Sequence, residues 1–335
     1  MPILKRCNIL SYDYLDIDVF WNIKLFYEAA GYHIDKNGKS DKYELLVMLR
    51  GDPGKSLISY KGIVHIYDYV KELRFNWCSR LPNACKIYLV SLSKPEVQPR
   101  IQFIQGYLPI IPELWQEKPF RKLSERPLHI SNYKIIDNDI YQQDLVRLGK
   151  ARFIRIFGRK WDRVDIRSYG LSYWQANRMI AKAYSCYGLM YPYQRGATLS
   201  GRMWQAPLNG CFVITEMGTN RFQCPGLIEV ERYSLATLLV AESIRSCWVL
   251  KEEATKYWRQ QTLTIAKGLG LDIDPDILAV QSAVLRKEIF CHHLIFLIRK
   301  WWSRIFGLLT SPLIACRIRR SRRVMASLLR YLRRG

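Results

Sequence analysis

Acidic residues are scarce in this chain: 29 Asp and Glu stand against 52 Lys and Arg, a formal net charge of +23. The deficit is uneven. From Ala283 to Gly335 one acid, Glu288, faces thirteen Lys and Arg, and no acid follows it. That depletion excludes a self-neutralised tail and predicts an anionic partner, either lipid head groups or nucleic acid. Long apolar runs are lacking there too. The longest uncharged run of the tail, Ile305 to Cys316, has twelve residues, short of the ~20 that a helical span requires. A charged n-region followed by an apolar h-region is absent from the start, and "MPILKRCNILSYDY" reads as a first strand, not a signal peptide. The nine cysteines are odd in number and irregularly spaced, which argues against a disulfide framework and for reduced thiols in a cytosolic setting. The adjacent Cys291, His292 and His293 cannot converge easily on one ion, so no metal site is expected. Disorder is excluded as a global reading, because 49% of the residues are hydrophobic and 13% aromatic.

What is present is alternation. "NILSYDY" (Asn8 to Tyr14) reads as a strand, and Val19 to Tyr32 follows with a helical period closed near Gly31. Tyr43 to Leu49, Gly62 to Val70, Cys85 to Leu92 and Arg100 to Tyr107 read as further strands. Near-continuous apolar strands separated by helix-length gaps predict a parallel sheet covered on both faces. Gly106 to Pro119 holds three prolines in fourteen residues, poor for a helix or a central strand. It reads as an interdomain linker that lets two domains change their angle. Alternation resumes with strands at Pro127 to Tyr133, Ala151 to Gly158, Tyr187 to Tyr193, Gly210 to Thr215 and Gly226 to Glu231. From Ser234 to about Lys267 the chain reads as helical. The expected organisation is an acceptor domain at 1–108, a linker at 109–125 and a donor domain at 126–232. Helices at 233–282 pack across the junction, and a basic amphipathic tail occupies 283–335. No repeat of solenoid period occurs.

The tail places Leu294, Leu297, Ile298, Trp301, Ile305 and Leu308 along one helical stripe. Trp301 and Trp302 beside basic residues fit a helix lying in a membrane interface. The run Arg317 to Arg323 adds roughly 1 kcal/mol per charge near an anionic surface. Residues 289–335 are therefore expected to hold the protein peripherally on the inner face of the cell membrane. A docking helix with a solvated charge run is the plainer reading. Nucleic acid is not an expected partner, because the chain carries no recognisable binding motif.

The second half narrows the fold. Gly158 to Trp161 gives a strand ending in G-x-x-W. Arg195 to Ser200 is a loop of small and hydroxylated residues that opens a helix carrying Arg202. "QAPLNG" (Gln205 to Gly210) precedes a strand ending at Glu216. This pattern resembles the donor half of GT-B glycosyltransferases, nearest to bacterial capsule and spore-coat-type enzymes of polysaccharide biosynthesis. The resemblance covers about residues 8 to 260, and its specific part is Gly188 to Glu216. It implies an α/β fold of two Rossmann-like, doubly wound domains. It implies a nucleoside-diphosphate sugar as co-substrate and a glycan or lipid-linked acceptor. The donor site it implies comprises Trp161, Tyr193, Arg195, Gly196, Thr198, Ser200, Arg202, Gln205 and Glu216. In that family an acid commonly stands at the place of Gln205 and accepts from both ribose hydroxyls. A neutral amide there makes weaker bonds.

The residues agree with this reading on physical grounds. A helix N-terminus suits a diphosphate, and the crevice past the carboxyl ends of parallel strands is where α/β folds bind ligands. Arg195 or Arg202 with fixed dipoles could stabilise a departing diphosphate without a metal or other cofactor. Acids just after strands are base candidates, namely Asp13, Asp52 and Asp68, although a solvated loop accounts for each as well. His65, inside an apolar run, reads as a core histidine. Retention or inversion stays open. Two other readings stay open as well: a catalytically inactive GT-B-like binding or scaffold protein at the membrane, and a basic nucleic-acid-binding protein.

Overall fold

The computed structural model describes residues 5–11, 17–36, 43–49, 60–67, 85–92, 101–117, 122, 126–133, 135–136, 138–196, 198–234, 244–287, 290, 294 and 298. Two compact units divide the chain at Arg286 and Lys287. The first holds two parallel sheets.

The first sheet is built from β1 (Lys5–Ser11), β2 (Tyr32–Lys36), β3 (Leu45–Leu49), β4 (Ile63–Tyr67), β5 (Lys86–Ser91) and β6 (Ile101–Gln105), in the order β2-β1-β3-β4-β5-β6. Every pairing is parallel. All five residues of β3 are buried, as expected of a central strand covered on both faces. Helix α1 (Ile17–Ala29) lays Ile23, Phe26 and Tyr27 into the core. It ends before Gly31, which takes a φ of +84° open to glycine at little cost. The helix therefore stops short of Tyr32, which begins the edge strand β2. The polar sequence YHIDK gave no strand signal.

The second sheet repeats the topology. It consists of β7 (Leu128–Ile130), β8 (Arg155–Phe157), β9 (Ser185–Tyr187), β10 (Phe212–Glu216) and β11 (Leu227–Val230), in the order β11-β10-β9-β7-β8. In both sheets the chain goes first to one side of the opening strand and then crosses to the other. The switch points lie between β1 and β3 and between β7 and β9. Strand β9 lies earlier than its expected span of Tyr187 to Tyr193. Gly188 follows it, and Pro192 opens a one-turn 3-10 helix, Pro192–Gln194, so the apolar run breaks after three residues.

The helices of the second half are α3 (Ile140–Lys150), α4 (Tyr173–Ala181) and α5 (Gly201–Leu208). Between the sheets, Pro112 takes the first position of a one-turn helix, α2 (Pro112–Trp115), where its missing N–H costs nothing. This segment is buried and bonded on all sides. Asn22 of α1 accepts from Ile111 N at 2.9 Å and Trp115 Nε1 at 3.1 Å. Asn177 of α4 and Asn209, just past α5, both donate to Trp115 O, at 2.8 and 3.2 Å. The Trp115 ring packs on Tyr173 and Trp204.

Helix α6 (Ile244–Gly268) spans both halves. Its Leu250 packs against Gly226, its Ile265 against Gly106, and its Gly268 against Ile104 of β6. Thr262 Oγ1 accepts from Ile110 N and donates to Ile110 O. A further helix, α7 (275–287), follows. In the second unit, the described residues Phe290, Leu294 and Ile298 are helical and exposed. Among the described residues no helix is long and apolar enough to cross a membrane. The remaining tail residues, the Cys291–His293 triplet, and Asp13, Asp52 and Asp68 lie outside the described residues.

Candidate functional site

The site is assembled at the carboxyl ends of β7, β9 and β10. Glu216 ends β10 and is fully buried. Its Oε1 accepts from Met190 N and its Oε2 from the Thr215 hydroxyl, both at 2.8 Å. Burial pushes its carboxyl up, opposed by those bonds and by Arg195. Burial and the Glu216 charge push the neighbouring Tyr233 phenol well up, so it stays protonated.

Arg195 leaves the 3-10 turn and is taken up by acids. Its guanidinium bonds Asp139 and lies 3.7 Å from Glu216 Oε1. It also donates to Met190 O at 3.3 Å and sits 5.0 Å from the Tyr141 ring centre. Asp139 caps α3 through Gln142 N at 2.9 Å, a capping role typical of Asp. Arg195 thus clamps the loop after β9 to the start of α3 and the end of β10. Gly196 beside it has a φ of +69°, and a Cβ there would meet Gly218 O at 2.6 Å. Only glycine fits that approach.

The loop then delivers α5. Thr198 is buried, with its hydroxyl 3.5 Å from Leu199 O. Ser200 is the N-cap, yet its hydroxyl makes no cap bond and is buried without a partner among the described residues. Arg202, in the first turn, reaches the carbonyl of Ile130 at the carboxyl end of β7. It therefore lies at the β7/β9 switch point. Gln205 is buried, and its Nε2 has no partner among the described residues. Tyr193 lies in the 3-10 turn.

Trp161 lies against Ser131, the residue that follows β7. It is buried, donates to Ser131 O at 2.7 Å, and packs edge-on against His129 and Tyr133. Gly158 lets this corner close, because a Cβ would meet Ser131 O at 1.9 Å. The G-x-x-W pattern is thus a packing device under the crevice. The sequence-level reading also missed three residues. Asp139 carried a signal, an acid just before an apolar helical run. Asn209 and Lys122 gave none. Asn209 accepts from Glu117 N at 2.9 Å, and Lys122, buried with its ammonium pKa pushed down, donates to Ala183 O and Asn209 O.

Chemically, α5 offers the positive end of a helix dipole, an arginine and a hydroxyl beside a strand switch point. That set suits a phosphorylated ligand. Among the described residues no cluster of His, Cys, Asp and Glu could hold a metal ion.

No protein-family model matches the chain, and no curated protein matches it in sequence. Solved structures do match it. An alpha-glucosyltransferase in complex with UDP-glucose and DNA containing an abasic site superposes with a TM-score of 0.50 at 8% identity, over 77% of this chain and 95% of that one. A glycosyltransferase from Rickettsia africae ESF-5 gives 0.47 at 11%, over 85% and 98%. Anabaena HepE in complex with UDP-glucose gives 0.48 at 10%, over 84% and 99%. The first of these shares the architecture described above, and the chain has the GT-B fold.

Proposed function

We propose that this protein is a glycosyltransferase that moves a sugar from a nucleotide-activated donor to a glycan or lipid-linked acceptor at the cytoplasmic face of the membrane. The observation that carries the reading is the start of α5 at the β7/β9 switch point. Arg202 stands there with the Ser200 hydroxyl and the Gln205 amide nitrogen, both buried without partners among the described residues. A diphosphate at this helix end would meet free N–H groups and the Arg202 cation, where leaving-group charge develops during transfer. Gln205 would face the ribose. Arg195, already bonded to Asp139 and Glu216, would hold the loop in shape. The solved structures with UDP-glucose support a nucleotide-sugar partner. The basic tail supports the membrane setting.

Calorimetry with UDP and GDP tests the site. Arg202→Ala should weaken nucleotide binding about 10- to 100-fold, the range for a lost charge-assisted bond. Gln205→Glu should preserve or tighten it. Unchanged affinity in Arg202→Ala, or no binding of either nucleotide, would overturn the assignment. A second reading rests on the neutral Gln205, namely a GT-B module that binds nucleotide without turnover. Nucleotide binding without hydrolysis of any nucleotide sugar would favour it.

A further inference from the structure

Between Arg147 and Arg167 the chain carries eight Lys and Arg against two acids, Asp162 and Asp165. All ten are exposed. They cover the end of α3 and the outer edge of β8, the edge strand of the second sheet. Two cations are neutralised: Arg147 pairs with Asp144 at 3.2 Å and Lys150 with Asp165 at 3.7 Å. Arg152, Arg155, Arg159, Lys160, Arg163 and Arg167 have no carboxylate partner among the described residues. Two aromatic side chains are interleaved with them, Phe153 at 47% and Tyr169 at 61% exposure. Tyr169 packs edge-on against Phe157, and Arg155 lies 5.4 Å from the centre of that same ring.

The backbone gives a second observation. Arg152 has a φ of +59° and Lys160 a φ of +67°. Arg152 occupies the position after the α3 C-cap, where Phe153 N returns to Leu148 O at 3.1 Å. Glycine is the usual residue in such a place, and a side chain there is strained. Two of the six unneutralised cations thus stand where glycine would fold at lower cost. Asp165, the exposed acid beside Lys150, has a φ of +58° as well, so the strain marks the turns of this edge and does not single out its cations.

We infer that the β8 edge is a nucleic-acid-binding surface. Five of the six cations are arginines, whose planar forks match phosphodiester oxygens and stack on bases. Exposed aromatic rings add stacking platforms that tolerate any sequence. A lipid surface would need more to insert, because among the described residues of 147–170 the exposed large apolar side chains are Phe153 and Tyr169. The surface begins beside the crevice, where Arg159 N bonds Asn132 Oδ1 at 2.8 Å next to the end of β7. The inference does not depend on sugar transfer.

The test uses the full chain and a labelled 20-nucleotide DNA, single-stranded and duplex, followed by fluorescence anisotropy from 0.05 to 0.3 M salt. One variant is Arg152→Gly with Lys160→Gly, which suits the backbone and so cannot fail merely by unfolding. A second adds Arg159→Gln and Arg163→Gln. A third changes Arg317, Arg319, Arg320, Arg322 and Arg323 to Gln in the tail. Each phosphate contact contributes about 0.9 to the slope of log affinity against log salt on duplex DNA. The glycine pair should lower the slope by about 2 and the fourfold variant by about 3 to 4, with affinity at 0.1 M salt down at least about tenfold. Unchanged slopes in both edge variants, with loss confined to the tail variant, would overturn the inference. So would edge variants that lose binding to phosphatidylserine vesicles and keep binding to DNA.

Discussion

Replacing Arg195 by methionine isolates the role of the clamp. The side chain of Arg195 is 19% exposed, while those of its partners Asp139 and Glu216 are 3% and 0% exposed. Methionine keeps much of the length and removes the cation. Both carboxylates then lose their counter-charge but not their other bonds, from Gln142 N to Asp139 and from Met190 N and Thr215 to Glu216. Breaking a buried ion pair from one side costs about 3–5 kcal/mol, and that is the loss expected in urea denaturation at pH 7.5. The pH dependence has a definite sign. Burial already raises the Glu216 carboxyl in the folded protein, and losing Arg195 raises it further. The folded variant then binds a proton that the unfolded chain, near 4.3, does not hold. Its deficit should therefore be largest at high pH and shrink as pH falls toward 5. Adding Glu216→Gln removes one of the two stranded charges and should recover part of the stability. If Arg195 acts through the loop, the double variant should also recover nucleotide affinity. A loss below 1 kcal/mol, or an equal deficit at pH 7.5 and 5.5, would refute the clamp.

Two further outcomes are expected. Burial holds the His65 imidazole at about 3, with Nδ1 bonded to the Tyr27 hydroxyl at 2.7 Å, whereas the unfolded chain titrates near 6.5. The unfolded state therefore binds more protons in between, and stability should drop by on the order of 4 kcal/mol as pH falls from about 6.5 to 3. His65→Gln should flatten that part of the urea-denaturation curve between pH 4 and 7, and an unchanged curve would refute it. For the tail, sedimentation with phosphatidylserine vesicles should show full-chain binding that weakens between 0.1 and 1 M salt as the Debye length falls from ~10 to ~3 Å. Changing Arg317, Arg319, Arg320, Arg322 and Arg323 to Gln should reduce the salt-sensitive part, and an unchanged salt dependence would refute it.

Strands such as β3 and β4 were legible because both faces are covered and their residues are nearly all apolar. Strand β2 was not, because an edge strand tolerates the polar pattern of YHIDK. Helix α5 and the strand after it could be read from Ser200 to Glu216. The state of Arg195 could not, because its partner Asp139 lies 56 residues earlier and only folding brings them together. Trp161 shows the converse case. Its spacing from Gly158 was legible, but the reason for it is packing against Ser131 and His129. The Pro-rich segment before α3 read as a plain linker, since proline count alone does not reveal that Asn22, Asn177 and Asn209 bond its backbone. The charge between Arg147 and Arg167 was visible throughout, overshadowed by the denser tail.

The repeated topology bears on the acceptor side as well. In open parallel sheets a ligand sits past the carboxyl ends of the strands that flank the switch point. In the second sheet those strands are β7 and β9, and Arg202 reaches the end of β7. In the first sheet they are β1, ending at Ser11, and β3, ending at Leu49. Asp13 follows the first by two residues and Asp52 follows the second by three. Asp68 follows β4, one strand further out. Its strand is instead tied into the core, where Tyr67 bonds the Tyr27 hydroxyl at 2.9 Å and His65 bonds it from the other side. By chain order, Asp13 and Asp52 follow the two strands that flank the switch point and Asp68 does not. A base must reach the reacting oxygen, so Asp13→Asn and Asp52→Asn are the substitutions that test for a base at this switch point, by loss of turnover with nucleotide affinity unchanged.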